Sequence, residues 1–490
     1  MTTNKSKLKT LLLITVIFLF TVGLTTDESV SDEMPPNIIV IHVDDLGWAD
    51  LSVQGSTFYE TPHIDRLASD GVRFTDGYSS ASVCSPTRAA LMTGKYPARV
   101  GITDWIRAEF QGGAVPEDGQ NPSGYVDGSE QPLLTPRNPL WMEHEEVTIA
   151  DILKEAGYKN VHIGKWHLGG EKWYPETQGF HINIGGADLG QPPSFFDPYY
   201  NDRIGYIPTL EPRKEGEYLT DREALEAVNF IEEHHDRPFF LHLANYAVHT
   251  PIQAKEELIG RYENKPPTFQ NDPVYAAMVQ SVDEAVGKIV NKLLELDIHE
   301  NTLIIFTSDN GGLDREGVTT NNPFRSGKGY PYEGGIRVPF IVSWPGVIEP
   351  ARISYEPVKS FDILPTVLDA AGLPHPDGLV IDGVSLWDHL LSGATESLNR
   401  DDLIWHFPHY REGRNVTPYS IIRSGHWKLI KWWEGPVFEL YNLFDDIGET
   451  TNLADQHSEK TDELNARLLE ILEDTGARVP KPNPDYQSQN

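Results

Sequence analysis

NIIVIHV (residues 37–43), followed by Asp44 and Asp45, and NTLIIFT (residues 301–307), followed by Ser308, Asp309 and Asn310, decide the fold. Each is a continuous apolar run of strand length, without alternation of wet and dry faces, so each reads as a strand buried on both sides. Helix-like and strand-like segments alternate outward from them. A helix from Pro62 to Asp70 precedes a strand at Val72–Phe74, and a helix over Thr148–Ala156 precedes Lys159–Ile163. Thr220–His234 leads to Pro238–Leu243, and the long Pro273–Glu295 helix leads to NTLIIFT. Val338–Ser343 is a last strand, and the Asp362–Ala371 helix stops at Gly372. This order predicts an α/β fold: a large mixed, mostly parallel sheet sandwiched by helices. From Asp401 short β-like pieces follow (Leu403–Phe407, Tyr419–Ser424, Trp427–Trp432, Phe438–Asn442), with a closing helix near Lys460–Asp474. They predict a small C-terminal antiparallel-sheet subdomain over 399–490, after a catalytic domain over 35–398. Three Gly- and Pro-rich stretches, Gln111–Pro139, Gly185–Gly216 and Asp314–Ser326, are too long for plain connectors and read as pocket walls or surface insertions.

The 490 residues carry 40 Lys+Arg and 73 Asp+Glu, a formal charge of −33, and one cysteine. That balance argues against broad nucleic-acid binding, which needs basic surface. One cysteine excludes an intramolecular disulfide and any multi-thiolate metal site. Lys5, Lys7 and Lys9 before the apolar run Leu11–Leu24 give the layout of a secretory signal over residues 1–26. The expected destination is the periplasm or the extracellular medium, where a lone thiol is unusual.

In open sheets of this kind ligands collect at the carboxyl ends of strands. Asp44 and Asp45 stand at one such end and Asp309 and Asn310 at another. Three carboxylates and an amide oxygen make a hard site suited to Ca2+ or Mg2+. Asp–Asp and Asp–Asn–Gly alone are ordinary turn and cap chemistry; their recurrence at matched positions favours the site. Neighbours in a strand point to opposite faces, so Asp44 and Asp45 share one site only if the chain turns there, which Gly47 permits. Cys84 lies in SSASVCSPTRAALMTG (79–94), where a loop enters a helix. A helix start offers free N–H groups and its positive dipole end, and Arg88 is four residues on, so Cys84 is a candidate nucleophile.

CSPTRAALMTGKY resembles the signature of the formylglycine-dependent, type I sulfatases: Cys-x-Pro-x-Arg, a small-residue helix start, then Thr-Gly. GKWHLG (164–169), NYAVHTP (245–251), SDNGG (308–312) and GKGYPYEGGIRVP (327–339) are similar to further blocks of that family in the same order, spanning 37–345. Thr87 stands where the family most often has Ser. The resemblance implies an alkaline phosphatase-like fold and oxidation of Cys84 to formylglycine, which hydrates to a gem-diol, by a formylglycine-generating or radical sulfatase-maturating enzyme. It implies Ca2+, ahead of Mg2+, held by Asp44, Asp45, Asp309, Asn310 and position 84. Arg88 and Lys165 would stabilise the diol and developing charge, with Asp309 as base. His167 would take a proton at release, and His249 and Lys328 would face the sulfate and the leaving oxygen.

WHFPHY (405–410) and TDWIR (103–107) combine aromatic faces with His and Arg, which suits a sulfated sugar of a polysaccharide or oligosaccharide. Candidate subsite residues are Arg107, His406 and His409. His42, His63 and His181 read as packed or surface histidines. The competing classes are a phosphonate monoester or phosphodiester hydrolase of the same superfamily and a non-catalytic glycan-binding relative. The last should have lost Cys84, Arg88 or a metal carboxylate, and all are present.

Overall fold

The computed structural model describes residues 34–126, 130–211, 214–314, 317–411, 413–435 and 437–487; the signal-like segment lies outside them. NIIVIHV forms β1 (Asn37–Val43), near the middle of an eight-stranded sheet. The other strands are β2 (Gly71–Phe74), β3 (Lys159–Gly164), β4 (Ile182–Ile184), β5 (Phe239–Ala244), β6 (Thr302–Ser308), β7 (Phe340–Ser343) and β8 (Arg352–Ser354). Their order is β8-β2-β7-β6-β1-β5-β3-β4, and only β7 runs against the rest. The sheet is mixed and mostly parallel, as the alternation predicts. The short edge strands β4 and β8 lack the long apolar runs of the central strands.

Successive residues of β1 feed two different cores. Ile39, Ile41 and Val43 pack with helices α1 (Pro62–Ser69), α4 (Leu219–His234) and α5 (Pro273–Glu295). Ile38 and Val40 pack with α2 (Cys84–Thr93), α3 (Ile149–Glu155) and α6 (Ile363–Ala370). Coverage on both faces is why the strand shows no polar alternation. The helices start on explicit caps: Asp272 accepts the N–H groups of Val274 and Tyr275 at 2.8 and 3.1 Å, with Pro273 next. Thr148 and Asp151 form a reciprocal box at the start of α3.

A separate antiparallel sheet follows the chain order: β9 (Asp402–Phe407), β10 (Tyr419–Ser424), β11 (Trp427–Trp432) and β12 (Val437–Asn442). α7 (Ser458–Asp474) lies on it through Leu464, Leu468 and Leu472, four residues apart. The core of this sheet takes in Val83 and Ala90, and its Trp405 and Tyr419 bond Ser79 O and Ser82 Oγ at 2.8 and 2.6 Å. The C-terminal sheet thereby braces the loop that delivers Cys84. Lys428 of β11, fully buried, bridges Glu333 at 2.9 Å and Glu449 at 2.7 Å. Lys428→Met should destabilise the fold by about 3–5 kcal/mol, because it leaves two buried carboxylates facing each other; a denaturation midpoint checks this. Among the described residues, no helix is long and apolar enough to cross a membrane.

Candidate active site

β1 and β6 pair in parallel with Val43 opposite Ser308, so both strands end at the same level. Asp44 and Asp45 therefore emerge beside Asp309 and Asn310, and all four are buried. The turn that brings both neighbouring carboxylates to one site is made by Asp45 itself, at φ 62°. Gly47, expected as the hinge, has ordinary extended backbone at φ −70°. Glycine is needed there for close approach: a Cβ would lie 2.5 Å from Asn321 Oδ1. The left-handed Asp45 is held by its N–H to Asp309 Oδ1 at 3.1 Å and by Leu46 N–H to Ser308 Oγ at 3.0 Å.

Three cations close on these carboxylates. Arg88 bonds Asp309 Oδ2 through Nε and Nη2 at 3.0 and 2.8 Å, and gives Nη1 to Lys165 O. Lys165 Nζ donates to Asp44 Oδ2 at 2.7 Å, and Lys328 Nζ pairs with Asp45 Oδ1 at 2.6 Å. Three buried carboxyl groups thus face three cationic side chains; burial and Asp309 push the Asp44 carboxyl up, while Asp45 and Asp309 are held low. Asp44 Oδ1, Asp45 Oδ2 and Asn310 Oδ1 are buried with no hydrogen-bond partner. Ligand atoms of Asp44, Asp45, Cys84 and His249 lie within 4.8 Å of one another. Asp309 is more fully engaged, with one oxygen on Asp45 N–H and the other on Arg88.

Cys84 is the first residue of α2, every residue of which is buried. Thr87 Oγ1 accepts Ala81 N–H at 3.0 Å and sits 3.3 Å from Ala81 O, so the hydroxyl common to Ser and Thr ties the loop to the helix. Ser85 Oγ donates to His167 O and accepts Ile106 N–H. Burial pushes the Cys84 thiol up, and Lys165 and Lys328 do not reverse it. The helix start and nearby cations therefore do not lower the unmodified thiol into the thiolate range.

His167, at φ 60°, gives Nε2 to Ile106 O at 2.7 Å and keeps Nδ1 unbonded. Burial, then Lys165, holds this imidazole well below its ordinary pKa. Burial and Lys328 hold His249 at about 3, with its Nε2 3.6 Å from Asp45 Oδ2. Both are neutral. Burial acts to raise Asp309, but Arg88 and Lys165 outweigh it and keep the carboxyl ionised.

Above Cys84 opens a cavity of about 180 Å3 walled by His167, His249 and Lys328, with Trp105, Gln191 and Arg411. Gln111 and Gly190–Gln191 come from the first two Gly- and Pro-rich stretches. Of the residues taken from the sequence blocks, Cys84, His167, His249 and Lys328 line the cavity, and the cluster of Asp44, Asp45, Arg88, Lys165, Asp309 and Asn310 joins it through Lys328 and His249 beside Asp45. Arg107 does not: it is exposed, lies over the Trp105 ring at 5.3 Å, and lines a neighbouring cleft of about 1330 Å3. His406 and His409 are buried, bonded to Ser420 Oγ and Thr103 Oγ1 at 2.7 Å each, and neither lines the cavity. Trp105, Gln191 and Arg411 were missed as wall residues; only TDWIR hinted at the first. His42 is packed inside the sheet, and His63 and His181 are exposed.

The sulfatase family model matches residues 36–373, which hold every block that converges on this cavity. The chain belongs to the sulfatase family. This sulfatase is a sulfuric ester hydrolase of the type I class, with the alkaline phosphatase-like fold. A second match, to the C-terminal region of N-sulphoglucosamine sulphohydrolase, spans 326–477. The sulfatase is 33% identical to a sulfatase of Formosa agariphila over 88% of this chain and 87% of that one. It is 35% identical to the N-acetylgalactosamine-6-sulfatase of Mus musculus over 73% and 67%. The crystal structure of Ps i-CgsB in complex with k-i-k-neocarrahexaose superposes with a TM-score of 0.75 at 30% identity, covering 93% of this chain and 96% of that one.

Proposed function

We propose that this sulfatase removes sulfate from a sulfated sugar, using a formylglycine made from Cys84 and one bound divalent cation, Ca2+ ahead of Mg2+. The observation that carries the reading is the set of three buried, unbonded oxygens, Asp44 Oδ1, Asp45 Oδ2 and Asn310 Oδ1, in a cluster whose two aspartates gather ligand atoms with Cys84 and His249 and whose Asn310 bonds Asp45. Oxygens orphaned inside a protein are costly unless a cation completes them. They are hard donors, while Cys84 Sγ is soft; an oxygen at position 84 makes the set uniform and suits Ca2+. Asp309 would complete the cage by reorienting one of its two occupied oxygens.

When bound, the cation supplies positive charge to the ester oxygens, and formylglycine supplies a hydroxyl nucleophile that can also expel sulfate without attack by water. The chain's own residues do the rest. Arg88 and Lys165 hold Asp309 ionised and add charge behind position 84; burial and the neighbouring Asp309 push the Asp44 carboxyl up, so the incoming cation is what would favour its ionised form. Asp309 accepts the proton of the attacking hydroxyl. Lys328 and His249 face the sulfate and its leaving oxygen. His167, with Nε2 fixed on Ile106 O, presents the free Nδ1 as the acceptor during release. With all three carboxyl groups ionised against the three cationic side chains, a divalent cation gives the cluster a net +2, which receives an anionic ester.

Names among the relatives, an N-acetylgalactosamine-6-sulfatase and a complex with k-i-k-neocarrahexaose, support a sugar substrate. Trp105 offers the cavity an aromatic wall on which a sugar ring can stack. Because all of α2 is buried, a maturating enzyme reaches Cys84 only before α2 docks. The charged-then-apolar N-terminus supports export. The test compares 4-nitrophenyl sulfate with 4-nitrophenyl phosphate, then measures sulfate release from sulfated oligosaccharides. The expected kcat/KM for the sulfate is about 100-fold or more above that for the phosphate; preference for phosphate would overturn the reading.

A further inference from the structure

None of the sequence blocks contains Arg411, yet its side chain enters the cavity over Cys84 beside Lys328 and Trp105. It follows β9, and its backbone is pinned by Arg411 N–H to Val416 O at 2.9 Å and Arg414 N–H to Arg411 O at 3.2 Å. The guanidinium lies on the backbone of Gly329, the residue after Lys328. A Cβ at that position would be 1.6 Å from Arg411 Nη1, so glycine makes room for the cation.

Arg411 Nη1 is sealed from solvent and has no hydrogen-bond partner. No ion pair within 4 Å engages the guanidinium among the described residues. Asp104 stands near enough to feel its charge but does not bond it, and Asp104 Oδ1 is also buried and unbonded. Nη1 is the inner end of the fork, packed on Gly329, whereas the half-buried side chain lines the open cavity, where its other nitrogens carry no hydrogen bond among the described residues and can take an acceptor from a bound ligand. The scissile sulfate is not needed to explain it, because Arg88, Lys165 and Lys328 already surround that site. Arg411 lies outside that cluster, with the Asp104 carboxyl near but not bonded to it, and its planar fork matches a carboxylate or a sulfate face.

We propose that Arg411 reads a second acidic group on the substrate, an oxyanion other than the sulfate being cleaved. The inference rests on the sugar sulfatase reading and narrows it: the preferred substrate is a multiply anionic saccharide carrying either an uronate carboxylate or a second sulfate.

Three disaccharides with the same cleavable sulfate test this: one otherwise neutral, one also carrying an uronate carboxylate, and one also carrying a second sulfate. The wild-type protein should favour one of the two doubly charged substrates, and which one identifies the group. Arg411→Met should lower kcat/KM for that substrate about 10- to 100-fold more than for the neutral one, chiefly through KM. Arg411→Lys should recover part of the difference, since charge returns without the fork. Thermal melting of both variants reports folding separately. An equal fall on all three substrates overturns the inference and marks a structural, water-satisfied arginine, and so does a wild-type enzyme indifferent to the second charge. Release from 4-nitrophenyl sulfate but from none of the disaccharides overturns the sugar reading, and this inference with it.

Discussion

Cys84→Ala abolishes sulfate ester hydrolysis, a loss of about 10,000-fold or more, and leaves the fold intact. The two halves of that result have separate causes. Position 84 stands where the Asp44–Asp45 ligand atoms and the open cavity meet, with Lys328 and His249 beside it. Removing it leaves the sulfate-facing charges in place without a group to form the bond to sulfur. The substitution is small and apolar at a helix start whose cap uses no side-chain bond, so it should cost about 1 kcal/mol at most. Mass spectrometry of the peptide spanning Cys84 is the companion measurement. Active enzyme should carry an aldehyde, or its hydrate, in place of the thiol, and protein made in a host lacking the maturating activity should keep the thiol and be inactive. Full activity with an unmodified thiol would sink the mechanism, as would an active alanine variant. The buried thiol makes the first outcome physically hard to reach: a protonated sulfur is a weak nucleophile, and its environment keeps it protonated.

The central sheet was legible because burial on both faces leaves a plain mark on composition. NIIVIHV and NTLIIFT could not tolerate water on either side, and their register then puts Asp44–Asp45 level with Asp309–Asn310. The carboxylate cluster follows from topology more than from any single motif. The turn between Asp44 and Asp45 was not legible: a left-handed aspartate is rare, so glycine at 47 is the natural guess, whereas the N–H groups of Asp45 and Leu46, donating to Asp309 Oδ1 and Ser308 Oγ, hold Asp45 there. WHFPHY misled for a related reason. Histidine and aromatic side chains have the same composition whether they meet a ligand or a neighbouring strand, and β9 turns His406 toward Ser420 of β10. Arg411 carries no local signal at all. Its place beside Gly329 depends on how the C-terminal sheet docks, a contact between residues 82 positions apart in sequence.

Removing divalent cations should abolish turnover, and adding Ca2+ back should restore turnover and raise the melting temperature together. Without the ion, the three carboxyl groups remain paired with three cationic side chains, so the chelated protein stays folded while Asp44 Oδ1, Asp45 Oδ2 and Asn310 Oδ1 remain unbonded. Ligand bound only by the folded state stabilises it by about 2.7 kcal/mol at a hundredfold excess over Kd, so the rise is readily measured. Asp45→Asn separates the cation's contribution from ordinary packing. The asparagine keeps the shape and the place beside Lys328 and Asn310 but removes one of the three carboxyl groups, leaving the cage cationic before any ion arrives. Its own melting temperature shifts for two reasons, lost pairing with Lys328 and lost cation binding. The diagnostic quantity is therefore the Ca2+-dependent increment, which should shrink toward zero while activity falls about 100-fold or more. Substituting Mg2+ tests the choice of ion: it prefers six ligands at short, near-ideal distances, and a cage built from carboxylate and amide oxygens on two strand ends suits the larger ion better. A chelated enzyme that keeps both its activity and its melting temperature would remove the cation from the mechanism, and the orphaned oxygens would then need ordered water to complete them.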